Sequence, residues 1–442
     1  MKKLFTVLLL VLAVWTLSGK PPKYIILFIG DGMAVSQRIL ADEFSRRNGG
    51  ESLLINTFPV HATTRTCSAN SITTDSAAAA TAIACGVKTK NGVLGLDPEG
   101  KKVVSVAETA RDTGRKVGII TTVTINHATP AGFYAHRDSR KKYYEIGLDL
   151  MESNFDFFGG GGMAEYAKQS PDLFALAEKK GYRIVFGKEG LASAKKGEKT
   201  IAVAGAKGAR IPYEIDLPEN IPSLAEITEK AIEVLDNDKG FFLMVEGGTI
   251  DYAGHGNDAA ANIFEVFGLD KAVRKAYAFY KKHPDETLII ITGDHETGGL
   301  TMGLAGKKLN PLLLSNQKCS AEAFQTALSA KQKAGEVKSF EDAVPLITEK
   351  FGLLFQPGKD PRDPMLLSKQ EQQELSQAFG KKKLHIALRA VMSKKAGIGW
   401  TTTGHTAVPV LTTSVGAGSE KFAGYIENTD IARNIRKFLQ EK

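Results

Sequence analysis

The chain has 442 residues, 43% hydrophobic and 24% charged, a normal soluble composition with enough apolar material for one large α/β domain or two medium ones. Its three cysteines, Cys67, Cys85 and Cys319, are too few for a disulfide framework. The formal charge of +8 is spread over lysine-rich stretches such as SAKKGEK and GKKKLH. These read as solvated faces; no basic stripe interleaved with aromatics points to nucleic acid, whereas an anionic substrate drawn to a positive cleft fits.

In chain order, Lys2 and Lys3 precede an apolar run from Leu4 to Leu17 and the small residues Ser18 and Gly19. This is the order of an export signal, expected over residues 1–19. The run is shorter than the roughly 20 residues of a membrane span, so no stable span is expected and the mature protein is placed in the periplasm or outside the cell. Residues 20–442 then make up the one remaining domain.

KYIILFIG reads as a buried strand and runs into Asp31. SITTDSAAAATAIACG, Ser71 to Gly86, has the propensity of a helix stopped by glycine, with Cys85 as a small buried thiol. Its front carries Thr74, Asp75 and Ser76, any of which suits an N-cap; nothing in the sequence supports a Cys67–Cys85 bridge. VVSVAETARDTG reads as a helix before the strand KVGIITTV, which leads to INHATP with His127 and Thr129. Residues 160–222 look like an insertion, with a glycine run read as a tight turn and short strand-like runs in YRIVF and TIAVA. SLAEITEKAIEVLDN reads as a helix before the strand FFLMVEG, which meets Glu246 and then Asp251 and His255 in GGTIDYAGHG. TLIIITG ends in Asp294-His295. Residues 306–400 look like a second, helical insertion, a cap or crown, after which the core resumes at GWTTTGHTAVPVLTTSV and closes with the helix DIARNIRKFLQ.

Alternating strands and helices predict a three-layer α/β/α sandwich with a large, mostly parallel central sheet. Ligands in such sheets bind outside the carboxyl ends of the strands. Four strands deliver acids, histidines and a threonine to that rim, beyond what independent turn residues supply. Asp251 and His255 are four apart, so both face one side of a helical turn. With Asp31, Asp294 and His295 there are enough ligands for two metals, the usual clamp for phosphoryl transfer. A hydroxyl at a helix N-terminus sits among free N–H groups, where a phosphate is well held, and a serine beside zinc can be activated by the metal.

Together, IILFIGDGM, TTDSAAAATAIACGVKTKNGVLG, HATPAGFYAHRDSRKKYYE, FFLMVEGGTIDYAGHG, TGDHETGG and TTGHTAVPV resemble the alkaline phosphatase family, in the family's order and over about residues 24–430. The resemblance implies a phosphomonoesterase with two Zn2+ and one Mg2+. Ser76 matches the nucleophile that becomes phosphorylated, and Asp31, Asp294 and His295 match the ligands of the zinc that activates it. Asp251, His255 and His405 match those of the second zinc. Asp31, Thr129 and Glu246 match the magnesium ligands, and Arg140 matches the arginine that grips phosphate, with Asp75 as cap or support. Small phosphate monoesters are the implied substrates and an alkaline pH the implied optimum. Dimers are usual in the family, but the sequence names no interface.

Two positions depart from many bacterial members, which carry an aspartate and a lysine near the magnesium. Here His127 and Tyr252 stand there. The imidazole makes zinc or cobalt competitors at the third site, and Tyr252 removes a cation beside the phosphate. His61, His136, His283 and His385 match no motif and read as structural. A phosphodiesterase of the same superfamily usually lacks the third-metal set and the arginine, so Thr129, Glu246 and Arg140 favour a monoesterase. A non-catalytic exported binding protein has no use for a complete nucleophile and metal set, and a sulfatase needs a different sequence around its nucleophile.

Overall fold

The computed structural model describes residues 20–358 and 360–441; the expected export signal at 1–19 lies outside the described residues. The strands in chain order are β1 (Tyr24–Gly30), β2 (Val60–Arg65), β3 (Lys116–Thr121), β4 (Phe157–Gly160), β5 (Arg183–Phe186), β6 (Thr200–Val203), β7 (Phe241–Gly247), β8 (Thr287–Gly293), β9 (Glu296–Thr297), β10 (Leu300–Thr301), β11 (Gly399–Trp400), β12 (His405–Thr406), β13 (Val410–Gly416) and β14 (Gly424–Glu427). The helices are α1 (Val35–Arg47), α2 (Ser76–Cys85), α3 (Val106–Asp112), α4 (Ala128–Ala131), α5 (Tyr143–Glu152), α6 (Leu173–Lys179), α7 (Gly187–Ala192), α8 (Leu224–Leu235), α9 (Thr249–His255), α10 (Ala259–Tyr280), α11 (Ala321–Lys333), α12 (Phe340–Phe351), α13 (Lys369–Gly380), α14 (Leu384–Ala396) and α15 (Asn428–Gln440).

One ten-stranded sheet runs β14-β2-β13-β8-β1-β7-β3-β4-β6-β5, and only β13 lies antiparallel to its neighbours. The four apolar runs that read as buried strands are β1, β3, β7 and β8, adjacent at its centre. Every residue of β1, β7 and β8 is buried, because helices cover both faces. Alternation sorts them: Ile26, Phe28, Leu243, Val245, Ile289 and Ile291 pack toward α1, α8 and α10. Ile25, Leu27, Ile29, Phe242, Met244 and Ile290 pack toward α2, α3 and α15. Each such fully buried side chain contributes about 1.5–3 kcal/mol relative to exposure, so this double core dominates the stability.

Of the two stretches set apart in sequence, 160–222 contributes β5 and β6, which extend the sheet at its β4 edge. Residues 306–400 carry α11 to α14. That long excursion leaves and returns through two short antiparallel pairs, β10 with β11 and β9 with β12. The second pairs Thr297 with His405, so backbone hydrogen bonding delivers a late-sequence histidine to the end of β8.

α2 explains its own alanines. All ten of its residues are buried, and a Cβ built on Gly132 of the neighbouring turn would lie 2.7 Å from Ala80 Cβ. Only small side chains permit that approach. Gly86 ends the helix in the left-handed conformation, φ 76°, as glycine does at low cost.

Candidate active site and metal centre

The parallel register fixes the heart of the site. Gly30 of β1 pairs with Gly247 of β7 on one side and Gly293 of β8 on the other. Asp31 and Asp294, one residue beyond, therefore emerge side by side, with Glu246 one residue before the end of β7. The turn after β1 needs glycine: Gly32 has φ +71°, and a Cβ there would lie 2.8 Å from Asp251 Cα and Thr297 Oγ1. Its N–H donates to Asp294 Oδ1 at 3.0 Å.

Three ligand groups share this rim. His295 Nε2 is 3.4 Å from Asp31 Oδ1 and 3.2 Å from Asp294 Oδ2, with all three side chains buried. His255 Nε2 lies 3.3 Å from Asp251 Oδ2 and 3.3 Å from His405 Nε2, which is 3.6 Å from Asp251 Oδ1. Asp31, His127 and Glu246 each offer an atom within 4.8 Å of the other two, and Thr129 Oγ1 donates to Asp31 Oδ2 at 3.2 Å. Asp251 with His295 and His405 forms a further such trio, so the first two groups abut; the His295 and His405 rings stack with centroids 3.6 Å apart.

The donors fit divalent cations. Ligands about 2.0–2.1 Å from a tetrahedral zinc sit about 3.3 Å apart, which matches these separations. Asp31 Oδ1, Asp294 Oδ2 and Glu246 Oε1 are buried without hydrogen-bond partners, and orphaned buried polar atoms are costly unless something binds them. His405 Nδ1 donates to Thr74 O at 3.0 Å and His255 Nδ1 to Thr403 O, so both rings turn Nε2 toward Asp251. Thr297 Oγ1 donates to Asp251 Oδ1 at 2.5 Å. His255, 41% exposed at its side chain, opens the site to solvent.

The electrostatics agree. Burial first, then the charges of Asp294, Asp251 and Glu246, push the Asp31 carboxyl well above the usual range, and Asp294 likewise. Burial lifts Glu246 to about 7. Burial would also raise Asp251, but the hydrogen bond from His255 and the facing histidines hold it below its ordinary value. That bond to Asp251 lifts His255 to about 9. Burial lowers His295 well below its ordinary value and takes His127 to about 3, so both imidazoles are neutral.

Ser76 stands at the front of this cluster. It is buried and is the first residue of α2, its Oγ 3.3 Å from His295 Nε2. Asp75 is the N-cap: Oδ1 accepts from the N–H groups of Ala78 and Gly92, both at 3.0 Å, and Oδ2 accepts from Arg140 Nη1 at 3.0 Å. Arg140 Nη2 donates to His127 Nε2 at 3.1 Å; burial opposes its charge, but Asp75 more than restores it. Tyr252 stands edge-on to His127, ring centroids 6.2 Å apart, and burial lifts its hydroxyl to about 12. Every site residue named from the sequence thus falls in one place. The arrangement can hold cations, bind an oxyanion at a helix N-terminus beside a guanidinium, and present a hydroxyl to it.

Some supporting residues escaped the sequence reading. Glu296, buried beside His295, accepts from Gln37 Nε2 at 2.7 Å, from the N–H groups of Gly299 and Leu300 at 3.0 Å and from Thr406 Oγ1 at 2.5 Å. It ties α1, β10 and the His405 strand together. Thr121 donates to Glu246 Oε2. Their only sequence signal is adjacency to the rim. Of the remaining histidines, His136 bonds to Gly95 O and Glu108 Oε1, and His385 to Gln325. All three cysteines are free. No helix among the described residues is long and apolar enough to cross a membrane.

Comparison with known proteins gives one answer. A family model described as alkaline phosphatase matches residues 22–441. Alkaline phosphatase 3 of Bacillus subtilis is 33% identical over 432 residues, 95% of this chain and 89% of that protein. Among solved structures, a cold-active alkaline phosphatase from a psychrophilic Shewanella superposes with a TM-score of 0.83 at 30% identity, covering 95% of this chain and all of the other. A variant of the TAB5 alkaline phosphatase with Mg bound in the M3 site superposes with a TM-score of 0.69 at 28% identity, covering 96% of this chain and 99% of that one.

Proposed function

The chain belongs to the alkaline phosphatase family and is a phosphatase; on that premise we propose that it hydrolyses phosphate monoesters through a phosphoserine formed on Ser76. The observation that carries this reading is the position of Ser76 Oγ, 3.3 Å from His295 Nε2 at the N-terminus of α2. Asp75 leaves that hydroxyl free by doing the capping itself, and holds Arg140 beside it.

Asp31, Asp294 and His295 would hold one zinc, and Asp251, His255 and His405 a second. Asp31, Thr129 and Glu246 would hold magnesium, with His127 making zinc or cobalt a competitor. Divalent cations, when bound, supply the positive charge that ionises the hydroxyl and neutralises the phosphoryl oxygens. Arg140 grips two phosphate oxygens with its planar fork. Ser76 Oγ bonds to phosphorus as the ester oxygen departs with its electron pair and is protonated; water then attacks the phosphoserine and releases inorganic phosphate. Two displacements predict retained configuration at phosphorus and transfer to added alcohols. Ligands and nucleophile all act deprotonated, which favours an alkaline optimum. Reading residues 1–19 as an export signal places the enzyme in the periplasm or outside the cell.

Comparing an aryl phosphate with a bis-aryl phosphate diester on the zinc- and magnesium-loaded protein tests the proposal. The monoester is expected to be much the better substrate; a strong diester preference would establish the phosphodiesterase reading instead.

A further inference from the structure

The two stretches set apart in sequence meet over the active site at Arg210. Arg210 Nη2 donates to Glu322 Oε2 of α11 at 2.7 Å, and Nη1 to Ile211 O at 2.9 Å. Its guanidinium carbon lies 4.2 Å from the ring centre of Tyr213 and 5.5 Å from that of Tyr252. The side chain is only 17% exposed, its partner Glu322 65%. Tyr252 in turn stands edge-on to His127, the planes at 83°, and His127 accepts from Arg140. The contacts form one line, Glu322 to Arg210 to Tyr252 to His127 to Arg140, from a helix of the 306–400 stretch to the edge of the phosphate site.

We infer that Arg210 is a positioning residue for phosphate binding, acting through Tyr252. The donors of Arg210 are directed to Glu322 and a carbonyl, and its face to Tyr213, so its own geometry is set by the protein rather than by a substrate. A guanidinium over a tyrosine ring in a largely desolvated place holds that ring by cation–π attraction. With the ring held, the edge contact restrains the His127 imidazole, whose Nε2 is the acceptor for Arg140. Arg210 also returns a positive charge beside a position where Tyr252 itself offers none. The inference rests on reading Arg140 as the phosphate grip.

The test is calorimetric titration of the zinc- and magnesium-loaded protein with inorganic phosphate, with kcat and KM on an aryl phosphate measured in parallel. Arg210→Ala is expected to weaken phosphate binding by roughly three- to tenfold, in keeping with the strength of a desolvated cation–π contact, and to raise KM more than it lowers kcat. Arg210→Lys keeps the charge without the planar face and should behave like alanine. Tyr252→Ala should give the same loss, and Arg210→Ala should add nothing in that background. Wild-type phosphate affinity in a folded Arg210→Ala protein overturns the inference, as does the same fold-loss with and without Tyr252. Should Arg210→Ala not fold, unchanged affinity in both Arg210→Lys and the solvent-facing Glu322→Gln overturns it. Absence of turnover in the wild type would defeat the functional reading, while the phosphate isotherms would still decide the role of Arg210.

Discussion

Ser76 opens a helix capped by its neighbour, so its hydroxyl is spared the commonest duty of a serine in that place. Residue type alone left Thr74, Asp75 and Ser76 all suited to cap, because capping depends on backbone geometry that composition does not carry, and only the family resemblance pointed to Asp75. Replacing Ser76 by alanine should lower turnover of an aryl phosphate by about three orders of magnitude or more, with metal content by elemental analysis unchanged; full activity would remove Ser76 from the mechanism. A second residue-scale prediction concerns Glu265, buried on α10 and bonded to Thr249 and to the N–H of Glu214. Burial lifts its carboxyl from 4.5 to about 7. A raised acid binds more protons folded than unfolded, so this group costs stability as pH rises from about 4.5 to 7, and the cost is complete above 7. Glutamine resembles the protonated acid. Glu265→Gln should therefore add about 1–3 kcal/mol to the unfolding free energy at pH 8, with the gain vanishing near pH 4.5, as urea titrations at the two pH values would show.

Among the elements, α2 and its cap link stability to phosphate binding. Asp75→Ala removes the acceptor for Ala78 and Gly92 and should cost about 1–2 kcal/mol. Asp75→Asn retains an amide oxygen for those N–H groups but loses the charge opposite Arg140. It should melt close to wild type yet bind inorganic phosphate more weakly; equal affinity would show that the Asp75–Arg140 pair is dispensable. The central strands were legible because a strand buried on both faces is a short unbroken apolar run. The 22-residue α10 carried no such signal, since its buried residues include Asn262, Glu265 and Asp270 and run around much of its surface. Near one end of the sheet, β2 alternates buried with exposed and the edge strand β14 is largely open, so neither gives an apolar run to detect.

For the whole molecule, the site is an assembly of the ends of β1, β3, β7 and β8 with α2, α4, α9 and β12. Four carboxylates, Asp31, Glu246, Asp251 and Asp294, are buried together, and cations that bind them only in the folded state add stability by mass action. Stripping the protein with a chelator should lower its thermal midpoint by several degrees, and zinc should restore it; an unchanged midpoint would show that the metals add nothing to folding. The sequence by itself determined the fold class and the list of rim residues, because parallel strands necessarily end on one edge and their apolar runs mark where they end. Residue chemistry and spacing left open which of those residues share a site, and only the family resemblance grouped them. Asp31 and His295 are far apart along the chain and 3.4 Å apart in space, and separation along a chain says little about separation in space, since closing a longer loop costs only slightly more entropy. The tertiary structure brought the residues of each group within reach of one another, set Asp75 Oδ1 against the N–H of Ala78, and alone decided the seating of Arg210 on Tyr252. Each depends on sheet register or on the packing of distant segments, neither of which is written locally.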